Sequence, residues 1–203
     1  FFEEFIMTNN LKRKKDKRQT ILDAATKVFL EKGYKKTSIA NIAKEAKASQ
    51  VTLYKYFPSK VALGRAVIIK LIIDGYSEYD KLLDNDAQSF VEKMKVMMSN
   101  SSSLADGIND DFVVFLQKEF SGQNGDTSVV KVYNQYKRNF WFKLLDQGRQ
   151  EGVISDEVTN EGAMIFLDLF INYSMNAKEN GVVALKNHEK DIIHLFFYGI
   201  MGR

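Results

Sequence analysis

A chain of 203 residues, 45% hydrophobic and 27% charged, is long enough to bury a core and fits one large domain or a small one joined to a medium one. One proline and twelve glycines argue against a turn-rich all-β fold, and the lack of cysteine excludes disulfides, thiolate zinc sites and a cysteine nucleophile. The net charge is only +3, but residues 1–65 hold 15 Lys and Arg against 6 Asp and Glu, whereas residues 66–203 hold 14 against 20, so a basic head precedes an acidic body, as in a nucleic-acid module attached to something else.

Apolar residues recur at spacings of three and four more than two, which predicts an all-α fold. No apolar run reaches the ~18 residues of a membrane span. Ala163 to Ile171 comes closest and Asp168 interrupts it. The opening Phe-Phe-Glu-Glu-Phe-Ile is too short and acidic for a secretory signal, and Met7-Thr-Asn-Asn-Leu reads as a natural start with residues 1–6 upstream of it. A cytoplasmic protein without membrane partner or cofactor is expected.

In chain order, Lys12, Arg13, Lys14, Lys15, Lys17 and Arg18 form a basic arm, expected to be disordered without DNA. A first helix follows, with Ile21, Ala24, Ala25, Val28 and Phe29 on one stripe and Gly33 as its stop. Thr37 and Ser38 offer N-cap oxygens to a second helix whose inner face is Ile39, Ile42 and Ala43. A third helix covers Gln50 to Tyr56, with Leu53 and Phe57 inward. Pro58 and Ser59 open a fourth, to Leu83. Further helices are predicted over 88–101, 111–120, 127–151, from Ser155 or Asp156 to Asn180, and 187–200.

Two short helices joined by a tight turn, the second polar and set among basic residues, make a helix-turn-helix, whose second helix enters the DNA major groove. The string G-Y-K-K-T-S-I-A-N-I-A-K-E-A-K-A-S-Q-V-T-L-Y-K-Y-F-P-S-K-V-A-L at 33–63, above all Thr52 to Phe57 with Ser59, Lys60 and Leu63 behind it, resembles the DNA-binding segment of tetracycline-repressor (TetR) family regulators. The match spans about residues 15–65, and the remainder agrees in helix order and length. The resemblance implies a flexible extension over 1–14, a helix-turn-helix DNA-binding domain over 15–60 and a helical ligand-binding and dimerisation domain over 61–203. It also implies a homodimer on a palindromic operator in double-stranded DNA, usually a repressor released by a small-molecule effector. Two positions depart from the family pattern. Lys47 stands where the family's Ala-Gly-Val-Ser turn has glycine, so positive φ is expected there at a cost of about 1 kcal/mol. Val51 replaces a frequent glycine or proline.

Phosphate contacts supply affinity and base-edge contacts supply sequence choice. Gln50 and Thr52 start the recognition helix, where glutamine can pair with adenine. Val51 can meet a thymine methyl, and Lys55 a guanine or a phosphate. Tyr54 and Tyr56 resemble the family's backbone-contacting tyrosines. Ser38 can donate to a phosphate, and Lys60 sits at a helix start suited to clamping one.

In the second domain, Met94, Met98, Phe112, Phe115, Tyr136, Phe140, Trp141, Phe166 and Phe170 form an aromatic and methionine stripe. It reads as plain core or as a cavity wall; the resemblance favours a cavity for an apolar or aromatic effector. Asp168 shares a polar stripe with Glu161, Asn172 and Glu179 and is expected to be solvated or at the edge of an interface. Phe142 is an aromatic on a polar stripe. Leu169, Tyr173, Ile193, Phe196, Phe197 and Ile200 are expected to pair with their copies across a two-fold axis. Two other readings compete. An adaptor whose helix-turn-helix binds protein is opposed by the basic charge. An enzyme is opposed by the lack of a glycine-rich phosphate loop and by only two histidines, His188 and His194, six apart.

Overall fold

The computed structural model describes residues 2–100, 108–123 and 125–176, together with 188, 191, 194, 195 and 199. Eight helices lie in the three continuous stretches, α1 (Phe2–Lys32), α2 (Ile39–Glu45), α3 (Gln50–Tyr56), α4 (Lys60–Leu83), α5 (Phe90–Asn100), α6 (Asp110–Phe120), α7 (Ser128–Gln150) and α8 (Asn160–Asn176), and residues 191, 194, 195 and 199 are helical as well. None is long and apolar enough to cross a membrane. The segment expected to be a flexible arm is helical, because nothing between Phe2 and Lys32 breaks a helix and α1 continues through it.

Side-chain caps set most helix starts by satisfying amides that lack an intrahelical partner. Ser38 accepts from the Asn41 amide at 3.1 Å, Ser49 from Thr52 at 3.0 Å and Ser59 from Ala62 at 3.0 Å. Thr37, expected to share the capping of α2, is buried instead and donates to the Gly33 carbonyl at 2.6 Å. Ser89 and Glu92 form a reciprocal capping box at α5: Ser89 Oγ accepts the Glu92 amide, and the Glu92 carboxylate accepts the Ser89 amide at 2.8 Å, which draws its pKa down. The α8 start differs from the Ser155 or Asp156 expected. Ser155 is used up in a local turn with Glu157 and Val158, and Thr159 caps Gly162 at 3.0 Å instead.

Two compact units emerge. The first comprises residues 1–72 and 105–132, the second residues 73–104 and 133–203, so α4 and α7 each contribute to both. The grouping departs from the domain boundary expected at residue 60: the first three turns of α4, and α6, pack with the helix-turn-helix.

The core of the first unit brings Ile21, Ala25, Val28 and Phe29 of α1 against Ile42 and Ala43 of α2, Leu53 and Phe57 at α3, Leu63, Val67 and Ile68 of α4, and Phe112 and Phe115 of α6. Each of the larger side chains contributes about 1.5–3 kcal/mol by leaving water. Phe115 lies flat on Tyr34, with centroids 3.8 Å apart and planes at 7°. Gly64 makes the room: a Cβ there would lie 2.7 Å from Phe115 Cε1 and 3.0 Å from Tyr34 Cε2. Beside this stack, Arg65 of α4 donates through Nε to Glu119 of α6 at 2.7 Å and pairs with Asp126 at 2.8 Å. Glu119 is completely buried.

The second unit gathers Phe90 and Met94 of α5, Phe140, Leu144 and Leu145 of α7, Ile154 and Ala163. Its interior holds two lysines. Lys93 is 1% exposed, and its ammonium donates to the Leu83 carbonyl at 2.7 Å and to Gln147 Oε1 at 2.9 Å. Gln147 donates onward to Glu151, which accepts the first amide of α5 at Phe90. The line ties the end of α4, the start of α5 and the last turn of α7 together, and gives a buried cation polar partners where bare burial would be costly. The second lysine is Lys137 of α7, which pairs with Asp168 of α8 and lies 5.3 Å from the Tyr133 ring centroid.

Candidate nucleic-acid interface and effector groove

α3 divides cleanly into a buried side and an outward side. Leu53 is fully buried and Phe57 nearly so. Gln50, Val51, Tyr54 and Lys55 face solvent, with Val51 68% and Tyr54 47% exposed. An exposed β-branched residue and an exposed tyrosine on a seven-residue helix contribute nothing to the core, so this face is free to meet a groove. Thr52 is half-buried and its Oγ1 lies 2.8 Å from Ser49 Oγ, which commits the hydroxyl to the helix cap. Tyr56 is half-buried, its ring packed against the core. Ser38 Oγ accepts the Asn41 amide, leaving its proton free to donate outward.

Lys60 is not a free cation. Its ammonium lies 4.5 Å over the Tyr34 ring and donates to the Lys35 carbonyl at 3.4 Å, and partial burial lowers its pKa. Lys35 also draws on α6: its amide bonds the Asp111 carboxylate, and its ammonium lies 3.8 Å from the same group.

The turn between α2 and α3 contains the left-handed residue expected there, with φ +47° at Lys47. Lys12 to Lys15 of the basic arm point outward, while Arg18 lies 4.9 Å over the Phe57 ring.

The described members of the nine residues expected to line an effector cavity are spread over several places. Phe112 and Phe115 belong to the first unit's core. Met94 and Phe140 are buried in the second, where Trp141 packs against them. Phe166 is 38% exposed. The side chains of Met98 and Phe170 lie outside the described residues. Tyr136 lines a groove of about 300 Å³, formed with Tyr76 and Asp80 of α4 and Asn139, Phe142 and Lys143 of α7. Arg138 sits 4.5 Å over the Phe142 ring, so the odd aromatic on the polar stripe is held by a cation at the groove edge.

Below the groove, Tyr76 contacts Tyr79, Tyr133, Tyr136 and Phe140 at centroid distances of 6.0–6.3 Å. Burial pushes the pKa of Tyr76 well up, and that of Tyr133 up to about 12, and the two hydroxyls are hydrogen-bonded to each other. Sequence reasoning missed Tyr76 and Lys137 because their partners lie on other helices. Asp168, expected to be solvated or at the edge of an interface, is half-exposed and paired with Lys137, whose side chain is 5% exposed.

Of the residues expected at a dimer interface, Leu169 is 61% exposed and Tyr173 is half-buried. Ile193, Phe196, Phe197 and Ile200 lie outside the described residues. α8 also exposes Ile165 at 64%, so Ile165, Phe166 and Leu169 form an outward apolar face at helical spacing.

Residues 21–67 match the model of bacterial regulatory proteins of the tetR family. Over an aligned 203 residues the chain is 26% identical to the fatty acid metabolism regulator protein of Bacillus subtilis, covering 95% of this chain and 100% of that one. It is 28% identical to the HTH-type transcriptional regulator YvdT of the same organism over 148 residues, 73% of each chain. Among solved structures, the transcriptional regulator FadR from Bacillus subtilis in complex with stearoyl-CoA superposes with a TM-score of 0.63 at 20% identity, covering 90% of this chain and 98% of that one. FadR from Bacillus halodurans gives a TM-score of 0.60 at 23% identity, covering 90% and 95%.

Proposed function

We propose that this chain, whose residues 21–67 match the tetR-family model, is a TetR-family homodimeric repressor that reads a palindromic operator with α3 and lets go when an amphiphilic small molecule occupies its second unit. The observation carrying the DNA-reading half is the outward side of α3: Gln50, Val51, Tyr54 and Lys55 stand exposed on the unit that holds the chain's excess positive charge. Gln50 and Val51 read base edges, Tyr54 and Lys55 hold phosphates or a guanine, and Ser38 and Lys60 fix the register from the flanks. Two copies pair through α8, whose apolar Ile165, Phe166 and Leu169 otherwise face water. The pairing sets two α3 helices about 34–36 Å apart, one DNA turn.

The effector reading rests on the groove and the relatives. A polar rim of Asp80, Asn139 and Lys143 beside the flat walls of Tyr76, Tyr136 and Phe142 suits a molecule with a polar head and an apolar body. One relative is a fatty acid metabolism regulator of Bacillus subtilis, and the structure of FadR from that organism holds stearoyl-CoA, so a long-chain acyl thioester is the effector class to try first. α4 carries groove residues Tyr76 and Asp80 near its end and Lys60 at its start, which makes it the element through which occupancy would alter DNA contact. A coupling of about 1–3 kcal/mol gives a 5–150-fold loss of operator affinity.

The test selects duplexes from a random pool with the purified chain and measures affinity by anisotropy. Gln50→Ala is expected to lose about 1–3 kcal/mol on the selected duplex and little on a mixed-sequence one. Lys60→Ala is expected to weaken both and to flatten the salt dependence. Equal losses on both duplexes for Gln50→Ala would remove it from base reading. Stearoyl-CoA is expected to lower affinity for the selected duplex 5–150-fold, and Tyr136→Ala to blunt that response; binding of the thioester without release of DNA would overturn the coupling.

A further inference from the structure

The turn between α2 and α3 carries a backbone problem and, beside it, what looks like the solution. α2 ends in a Schellman motif: the Ala48 amide bonds the Ala43 carbonyl at 2.9 Å, and the Lys47 amide bonds the Lys44 carbonyl at 3.1 Å. The residue between, usually glycine in such a motif, is Lys47 at φ +47°. A side chain there crowds the backbone, so the left-handed geometry needs support from elsewhere. The motif also leaves the Ala46 and Lys47 carbonyls without a helical amide.

Both carbonyls are taken by one side chain from α1. Lys17 reaches across from the basic arm and donates through Nζ to the Lys47 carbonyl at 3.1 Å and the Ala46 carbonyl at 3.4 Å. Its neighbours in the arm behave differently: Lys12, Arg13, Lys14 and Lys15 are exposed, while Lys17 is half-buried. The arm therefore changes role along its length. Its first four cations look outward, and Lys17, with Arg18 over the Phe57 ring, turns onto the protein.

We propose that Lys17 is a positioning residue for α3: its ammonium clamps the two carbonyls of the turn, stabilises the left-handed Lys47, and so fixes the direction in which the recognition helix leaves. The ammonium supplies DNA affinity through geometry and not through phosphate charge. Charge-assisted bonds to carbonyls are the stronger class of hydrogen bond, and an ammonium can serve two acceptors at once. The four-residue link from Ala46 to Ser49 has no other side-chain tie to α1 at these carbonyls among the described residues. This assignment rests on the proposal that α3 reads DNA, but the clamp itself is measurable without DNA.

The experiment uses the full chain, the selected duplex and a mixed-sequence duplex, with Lys17→Met, Lys17→Arg, Lys15→Met and Lys47→Gly, and Lys17→Met combined with Lys47→Gly. Amide hydrogen exchange at Lys47 and Ala48 is expected to quicken about tenfold in Lys17→Met and to stay near wild type in Lys17→Arg. Affinity for the selected duplex is expected to fall about tenfold in Lys17→Met with an unchanged slope against salt, whereas Lys15→Met lowers the slope by about 1. Lys47→Gly, which adopts left-handed geometry freely, is expected to restore most of the affinity lost in Lys17→Met. A slope lowered by about 1 in Lys17→Met, with no rescue by Lys47→Gly, would make Lys17 a phosphate contact and overturn the assignment. Unchanged exchange and unchanged affinity would overturn it as well. If the wild-type chain binds no duplex, the DNA reading fails, and the exchange rates still decide the clamp.

Discussion

Replacing Arg65 with alanine is expected to destabilise the protein by about 3–5 kcal/mol, read as a shift in the urea midpoint followed by circular dichroism. The size follows from where Glu119 sits. Its carboxylate is fully buried, and the Arg65 guanidinium donates to it at 2.7 Å while also reaching Asp126 at 2.8 Å. Hydrogen bonding to Glu119 is the largest cause raising the Arg65 pKa, so the cation persists through the whole accessible pH range. Alanine would withdraw the counter-charge and leave the carboxylate in a low-dielectric surround. Lysine at 65 should recover only part of the loss, since a point charge lacks the planar fork that spans two carboxylates. The double variant Arg65→Met with Glu119→Leu should be more stable than Arg65→Ala, because breaking a buried pair costs more than replacing it by apolar groups. A loss below about 1 kcal/mol for Arg65→Ala would mean that water or another protein group compensates Glu119 in its place.

Val51→Glu is expected to reduce affinity for the selected duplex by at least about 100-fold while leaving thermal stability nearly unchanged. Val51 is 68% exposed in the first turn of α3, so the fold gains nothing from its burial. Glutamate has the better helix propensity and the better charge for a helix start, so the substitution does not unravel α3. On DNA the same carboxylate would meet phosphates, and like-charge juxtaposition costs several kcal/mol. Val51→Ala, which removes two methyl groups and adds no charge, should cost tenfold or less. Wild-type affinity in Val51→Glu would place the contact surface elsewhere and undo the assignment of Gln50 and Tyr54 with it.

The helix-turn-helix was legible because its determinants are local. Ser38 caps three residues ahead, Ser49 does the same for α3, Leu53 and Phe57 face inward at helical spacing, and Lys47 adopts the backbone angle that the turn demands. The remainder depended on partners distant in sequence. Phe112 and Phe115 looked like cavity walls because aromatic content alone cannot say which core a ring joins; contact with Phe29 and Tyr34 decided it. Asp168 lay on a polar stripe, and that periodicity was sound, but the buried Lys137 that meets it is 31 residues away. Tyr136 was named from its own helix, but Tyr76, which meets it in the groove, comes from a helix whose register against α7 no single-chain pattern fixes. The basic arm was misjudged for the opposite reason: charge suggested disorder, whereas α1 runs through it and Lys17 and Arg18 have protein partners.

The close approach at Gly64 bears on how this sequence is free to drift. With Phe115 and Tyr34 already at the distance a methyl group would claim, positions 34, 64 and 115 constrain one another although 81 residues separate the outer two. A change at any one of them is tolerated only alongside compensating changes at the others, so the three should be inherited as a set, and a swap of α6 between related regulators must carry its matching glycine along.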